Sequence, residues 1–288
     1  MIPGTFDYFA PSTVDEAVTL LSDRGPDARV LAGGQSLIPM MKLRLAEPPV
    51  LVDLNRVEGL GGIEERDGHL RIGAMTRHAA LETSDLIGAR YPLIADAAAV
   101  IADPLVRNRG TTGGSLAHAD PAGDLGSVMT ALGAEIVVTG PSGERTLSID
   151  DLLLGPFATT LEEGEIMTEV RVPLPGAGSA GAYEKLERKV GDFATAAVAV
   201  QLSRENGSCS SIGIALTAVG PTTIRAGAAE DHLRGGALDE AALRAASELA
   251  AEAAEPAADL RGSEEYKRDM VRVLTLRALR RAIARAGG

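Results

Sequence analysis

The sequence has few of the residues that disulfide and metal chemistry need. Its 288 residues include one cysteine, Cys209. One thiol excludes a disulfide framework within the chain. It also excludes an all-cysteine iron–sulfur cluster on this chain, which takes four thiolates. The four histidines, His69, His78, His118 and His232, lie far apart. No Gly-x-Gly-x-x-Gly follows a strand-like run and no Gly-x-x-x-x-Gly-Lys-Ser/Thr is present, so neither a Rossmann site nor a P-loop is supported. No Ser–His–Asp arrangement can be assigned from spacing. No apolar run is long enough to span a bilayer. Basic residues are outnumbered, giving a net charge of −12; that argues against nucleic acid, whose phosphates call for basic patches. The start, Met1-Ile2-Pro3-Gly4-Thr5, has no basic segment and no apolar run behind it. No secretion signal is expected there, and a cytoplasmic protein is.

Two glycine pairs stand out against this background. One lies in Ala32-Gly33-Gly34-Gln35-Ser36-Leu37, after the apolar pair Val30-Leu31; the other lies in Thr111-Thr112-Gly113-Gly114-Ser115-Leu116. Glycine lets the backbone turn sharply and approach a ligand closely. Consecutive exposed N–H groups form a concavity that favours anions, phosphates above all. A single Gly-Gly pair reads most simply as a turn. Two pairs with the same hydroxyl flanks point to a shared ligand.

Length and composition fit a soluble globular protein of about two domains: 45% hydrophobic and 24% charged residues. Residues 12–24 read as a helix, capped by Ser12 or Thr13, with Glu16 placed for a capping box. Residues 29–32 and 50–54 read as strands. Residues 37–45 read as a short helix broken near Pro39. These make a small α/β unit over 1–57. A second unit begins near Leu60, with strands at 69–73, 135–138 and 165–172 and helices at 76–83, 85–101 and 125–132. Between them, residues 103–124 read as a long polar loop, a feature that is usually functional. Pro-Gly-Ala-Gly at 175–178 is the best domain boundary. Beyond it, residues 183–188, 193–203 and 211–219 read as three strands, with an Asn206-Gly207 hairpin turn. Helices follow at 239–254 and 263–286. Arg277, Arg280, Arg281 and Arg285 crowd the end of the last one, where they would complement the helix dipole. His118, Asp120 and Asp124 stand close together, but capping and ligand hydrogen bonds explain them better than a metal. From the residues alone, the chain is a two-lobed α/β domain with two anion-binding loops, then a smaller α+β domain.

Several ordered motifs also carry a resemblance. They are Ile2-Pro3-Gly4-Thr5-Phe6-Asp7-Tyr8, both glycine loops, Ile101-Ala102-Asp103-Pro104, Asp120-Pro121-Ala122-Gly123-Asp124, Tyr183-Glu184-Lys185-Leu186 and Gly191-Asp192-Phe193-Ala194-Thr195-Ala196. Along nearly its whole length the chain resembles the FAD-binding medium subunit of the molybdenum hydroxylases, most of all the aerobic carbon monoxide dehydrogenase branch. The resemblance implies an α+β fold. Its two-lobed FAD domain of the vanillyl-alcohol-oxidase type would cover 1–176, with lobes of about 1–57 and 58–176. A domain with a three-stranded antiparallel sheet and a helical C-terminus would cover 177–288. Leu31, Ala32, Gly33, Gly34, Gln35, Ser36 and Leu37, with Thr111, Thr112, Gly113, Gly114 and Ser115, would wrap the FAD pyrophosphate and ribityl chain. Ile101 and Ala102 would lie by the adenine end, and Asp124 would hydrogen-bond cofactor hydroxyls. Met167 would contact the flavin through its backbone, Lys185 and Phe193 would flank the ring, and His118 would lie just beyond the second loop. The family often has asparagine at Ser115 and tyrosine at Phe193.

The same resemblance implies non-covalent FAD here, with the molybdenum cofactor and [2Fe-2S] clusters on partner subunits. The partners would be a small iron–sulfur subunit and a large molybdenum subunit, as a dimer of heterotrimers. Electrons would pass from the molybdenum site through the clusters to FAD and on to an external acceptor. No general base stands out, so no catalytic residue is named. A self-contained FAD oxidoreductase would need a substrate pocket from the second domain, which offers few polar candidates. A cofactor-free scaffold would suit the alanine-rich helices but not the doubled glycine loops. Flavin bands in the visible spectrum separate the scaffold from the other two.

Overall fold

The computed structural model describes residues 2–287; Met1 and Gly288 lie outside them. The first lobe is a three-stranded parallel sheet, ordered Asp7–Phe9, Val50–Asp53, Ala28–Leu31. Its central strand is apolar and buried at Val50, Leu51 and Val52, as a parallel strand covered on both faces must be. Helix Val14–Arg24 buries Ala17, Val18 and Leu21 against it. The capping box is offset by one residue. The Thr13 hydroxyl accepts from the Glu16 N–H, while the Glu16 carboxylate accepts from the Ser12 N–H at 2.8 Å. The break expected at Pro39 is absent, because helix Leu37–Lys42 runs through it. Pro39 sits in the first turn, where an N–H has no intrahelical acceptor to lose.

The second lobe is a five-stranded antiparallel sheet, ordered Ile63–Arg66, His69–Gly73, Ile166–Pro173, Glu135–Gly140, Gly143–Ser148. The two edge strands were not legible as strands because their faces are charged and half-exposed. The helix expected over 85–101 is two helices, Asp85–Arg90 and Pro92–Val100. Pro92 lacks an N–H and opens the second. Pro104 likewise opens a helix, Pro104–Arg107, with Asp103 accepting from the Val106 N–H at 2.9 Å. Residues 103–124 are therefore not a loop. They hold that turn and a second helix, Thr112–His118, which carries the second glycine pair.

The C-terminal sheet has four strands, not three: Ser179–Leu186, Ala196–Glu205, Ser208–Thr217 and the two-residue Ile224–Arg225. Asn206 and Gly207 both take positive φ, 52° and 86°, the two-residue turn that Asn-Gly favours. One face of this sheet, through Tyr183, Ala197, Ala199 and Ala215, joins the core of the second lobe. The other, through Val198, Val200, Ile214 and Leu216, joins the core formed with helices Gly227–Leu233, Glu240–Ala253 and Glu264–Ala286. Small residues on the first face let the helices come close. A Cβ on Gly213 would lie 2.1 Å from the Ala131 carbonyl oxygen. Three of the C-terminal arginines serve as ion-pair partners across the fold. Arg281 and Arg285 pair with Asp96 at 2.8 and 2.7 Å, and Arg280 pairs with Glu240. They pin the last helix to its neighbours, which a dipole reading alone misses.

Candidate functional site

The two lobes and the C-terminal sheet enclose a cleft of about 1060 Å³, at the top of the ~300–1,000 Å³ range of ligand sites. The first glycine loop forms one wall. It follows strand Ala28–Leu31, and Gly34 holds φ at 75°, a value an L side chain strains to adopt. Gly33 lies against the opposite lobe, where an added Cβ would be 2.3 Å from the Arg109 carbonyl oxygen. Among the described residues no acceptor receives the N–H groups of Gly33, Gly34, Gln35 or Ser36. Four adjacent unpaired donors at a cleft wall need a ligand or water.

The second pair behaves differently. Thr111 caps helix Thr112–His118, and its hydroxyl accepts from the Gly114 N–H at 3.2 Å. The N–H groups of Thr112, Gly113 and Ser115 go to Thr76, Ala74 and Thr111 carbonyls. The expected second cradle of free N–H groups is therefore not formed. These glycines serve packing: a Cβ on Gly113 would sit 2.5 Å from the Ala74 Cβ. Gly113, Gly114 and Ser115 still line the cleft, with Thr111 beside them. Thr112 is fully buried, donating its hydroxyl to the Thr76 carbonyl at 3.3 Å, and neither it nor Leu31 reaches the cleft wall.

Ile101 and Ala102 line the same cleft near Val106, Gly110 and His78. His78 is 5% exposed and its Nδ1 has no partner among the described residues. Burial, with Arg77 and Arg107 nearby, pushes its pKa down to about 4, so the ring is neutral at neutral pH.

Across the cleft floor, Asp124, Tyr183 and Lys185 form one buried network. The Tyr183 hydroxyl donates to Asp124 Oδ1 at 2.8 Å and Lys185 Nζ donates to Asp124 Oδ2 at 3.1 Å. Lys185 also donates to the Val100 carbonyl at 2.9 Å. Burial raises the Asp124 carboxyl above its ordinary range, opposed by Lys185 and Tyr183. The Tyr183 hydroxyl is pushed well up, by burial first and by Asp124 second. Both Asp124 oxygens thus already have partners within the chain. Tyr183 belongs to the sequence motif Tyr183-Glu184-Lys185-Leu186 but carries no site role there, although it stands two residues before Lys185 on one strand and so shares its face.

Met167 lies on the wall at a bulge in strand Ile166–Pro173. Phe193 is 52% exposed at the mouth, its N–H donating to the Asp192 carboxylate at 2.8 Å. At the end of the helix that carries the second glycine pair, His118 meets Phe157 with ring centroids 5.1 Å apart. Phe157 is 61% exposed and takes φ 56°, an uncommon value for such a residue. Nothing in its local sequence marks it. Asp120 accepts from the Ala122 N–H at 2.9 Å. No group of three or more His, Cys, Asp or Glu side chains that could hold a metal occurs among the described residues.

A large interlobe cleft with unpaired backbone donors at one wall and a buried lysine–carboxylate pair on its floor defines a protein that binds a large anionic cofactor. The family profile described as FAD binding domain in molybdopterin dehydrogenase matches residues 4–175, and that of the CO dehydrogenase flavoprotein C-terminal domain matches 181–282. The chain belongs to the family of FAD-binding medium chains of molybdenum hydroxylases. It is 48% identical to the carbon monoxide dehydrogenase medium chain of Hydrogenophaga pseudoflava, over 99% of both chains. It is 40% identical to the alpha subunit of the 6-hydroxypseudooxynicotine dehydrogenase complex of Paenarthrobacter nicotinovorans, over 99% of this chain and 97% of that one. A solved carbon monoxide dehydrogenase from Hydrogenophaga pseudoflava, one lacking the Mo-pyranopterin moiety, superposes with a TM-score of 0.96 at 50% identity over 99% of each chain. Among the described residues no helix is long and apolar enough to cross a membrane.

Proposed function

We propose that the chain binds one FAD, without a covalent bond, along the interlobe cleft, and serves as the electron-transfer subunit of a carbon monoxide dehydrogenase-type complex. The observation that carries this reading is the row of unpaired N–H groups at residues 33–36, lining a cleft of about 1060 Å³. Backbone donors suit a pyrophosphate in an acidic chain without recruiting lysine or arginine. The residues present fit FAD. The free donors match its anionic centre, the crowding at Gly33 leaves no space for a side chain there, and the apolar wall at Ile101 and Val106 suits a base. Bound FAD supplies the redox chemistry, and the protein binds and tunes it.

In this reading the first loop, residues 31–37, holds the pyrophosphate through the free N–H groups of residues 33–36. The helix start at 111–115 packs beside it and closes the wall. Ile101 and Ala102 flank the adenine, and His118 borders the second loop. Lys185 and Asp124 keep a compensated charge pair beneath the cofactor, where Asp124 has lone pairs left for a cofactor hydroxyl. Met167 and Phe193 border the ring. Phe193 offers surface and no proton, so it limits solvent and oxygen at the ring. Phe193→Ala is therefore expected to speed air reoxidation of the reduced flavin severalfold, while Phe193→Tyr keeps the parent rate; stopped-flow mixing with aerated buffer measures both.

The chain divides at about 176 into a FAD domain of the vanillyl-alcohol-oxidase type, with lobes 1–57 and 58–176, and a flavoprotein domain over 177–288. The gap between the two profile matches supports this division. The partners are a small subunit carrying [2Fe-2S] clusters and a large molybdenum subunit, as a dimer of heterotrimers in the cytoplasm. With a single cysteine this chain cannot hold those clusters itself. The substrate of the complex is carbon monoxide, the reading favoured by 48% identity over the full length. The test is to purify the complex from its source and add carbon monoxide anaerobically. Bleaching of the flavin band is expected. A band that stays under carbon monoxide but bleaches with an N-heterocycle overturns the substrate assignment.

A further inference from the structure

Behind the first glycine loop, a chain of polar contacts joins the two lobes. The Tyr8 hydroxyl donates to Asp53 Oδ2 at 2.6 Å. The other Asp53 oxygen accepts from the Asn55 N–H at 2.8 Å and from its side-chain amide. Asn55 Nδ2 also donates to the Ala32 carbonyl at 2.9 Å. From the second lobe, Arg77 donates through one terminal nitrogen to Asn55 Oδ1 and through the other to the Arg109 carbonyl. That carbonyl oxygen is the atom against which Gly33 rests. Neither Arg77 nor Asn55 lines the cleft. Among the described residues no carboxylate lies within ion-pair distance of Arg77, whose pKa is lowered by burial first and by Arg109 second, against the more distant Asp53. Its guanidinium is committed to two neutral acceptors, one on each lobe.

We propose that Arg77 and Asn55 are positioning residues that clasp the first glycine loop from behind and hold the N–H groups of residues 33–36 in their cofactor-binding arrangement. The inference rests on the reading that the cleft takes FAD. Asn55 fixes the carbonyl at the loop's entry, and Arg77 fixes the carbonyl that Gly33 abuts. The two contacts on either side of the loop therefore move together or not at all. A planar guanidinium reaches two acceptors at once, which a lysine ammonium on a flexible stem does not reproduce.

The test uses the full chain freed of flavin, titrated with FAD and followed by fluorescence, as parent, Asn55→Ala, Arg77→Gln, Arg77→Lys and the Asn55→Ala/Arg77→Gln double variant. Denaturant midpoints of the flavin-free chains are read in parallel. Each single variant is expected to weaken FAD about tenfold, with Arg77→Lys as weak as Arg77→Gln. The double variant should be no weaker than the worse single one, because residues of one network couple. The midpoints should stay close to the parent's. Arg77→Lys binding like the parent would make charge alone responsible and overturn the clasp. So would additive losses in the double variant, or FAD losses that follow the midpoints. A parent chain that takes up no FAD defeats the cofactor reading instead, whatever the variants do.

Discussion

Lys185→Met is expected to be among the most destabilising single substitutions in the chain, and its cost should depend on pH. Lys185 Nζ lies 3.1 Å from Asp124 and 3.7 Å from Glu187, with its side chain 4% exposed. Removing it leaves the Asp124 carboxylate buried without a cation, a loss of about 3–5 kcal/mol for such pairs. Burial already raises the Asp124 carboxyl above its ordinary range, and without Lys185 it rises further. Between the unfolded and the raised folded pKa the native state binds the extra proton. Stability is then highest at low pH and is lost as pH rises through the folded value. The deficit relative to the parent should therefore be smaller near pH 5 than near pH 8. Asp124→Asn in the same background should recover much of it. Urea midpoints at the two pH values measure this, and an equal deficit at both would show that Asp124 is not the group left uncompensated.

Gly33→Ala is expected to abolish FAD retention. The new Cβ would stand 2.3 Å from the Arg109 carbonyl oxygen and 2.8 Å from the Gly110 Cα. Both are backbone atoms that cannot rotate away, so the loop or the facing lobe must move. Overpacking of this kind costs about 1–3 kcal/mol of stability. Displacing the four donors should weaken FAD on the order of a hundredfold, about 2.8 kcal/mol. Gly61→Ala, whose Cβ would meet nothing within 4 Å, is the matched control. Retention of FAD after desalting, compared between the two variants, decides it; equal retention would remove the first loop from the site. Gly114→Val is a poorer probe, because its side chain would strike the Thr111 hydroxyl that caps the helix.

Much of this was legible in the sequence because local chemistry settled it. Thr13 and Glu16 marked a helix start, Asn206-Gly207 marked a hairpin, and the apolar run at 50–54 marked the central strand of the first lobe. What local chemistry does not settle was read less well. The edge strands Ile63–Arg66 and Gly143–Ser148 carry charge on faces that only tertiary pairing makes extended. The helix read over 85–101 runs through Pro92, and Pro104 falls in the expected loop, yet each proline opens a helix, since proline is excluded from a helix interior and not from its first turn. The two glycine pairs look alike in sequence and differ in structure. The first leaves its donors free. The second spends them on Thr76, Ala74 and its own cap. Flanking residues cannot separate these outcomes, because the acceptors come from residues nearly forty positions away. Asn55 and Arg77 escaped notice, and Tyr183 stood in a motif without a role, for the same reason: their partners lie on other elements.

The cofactor claim has one direct measurement. The purified chain is incubated with FAD, desalted, denatured and passed through a filter that holds the polypeptide. A yellow desalted protein, releasing one FAD per chain into the filtrate, is the predicted result. A desalted chain without flavin absorbance would contradict FAD binding in the cleft, and yellow colour retained with the denatured polypeptide would contradict a non-covalent site.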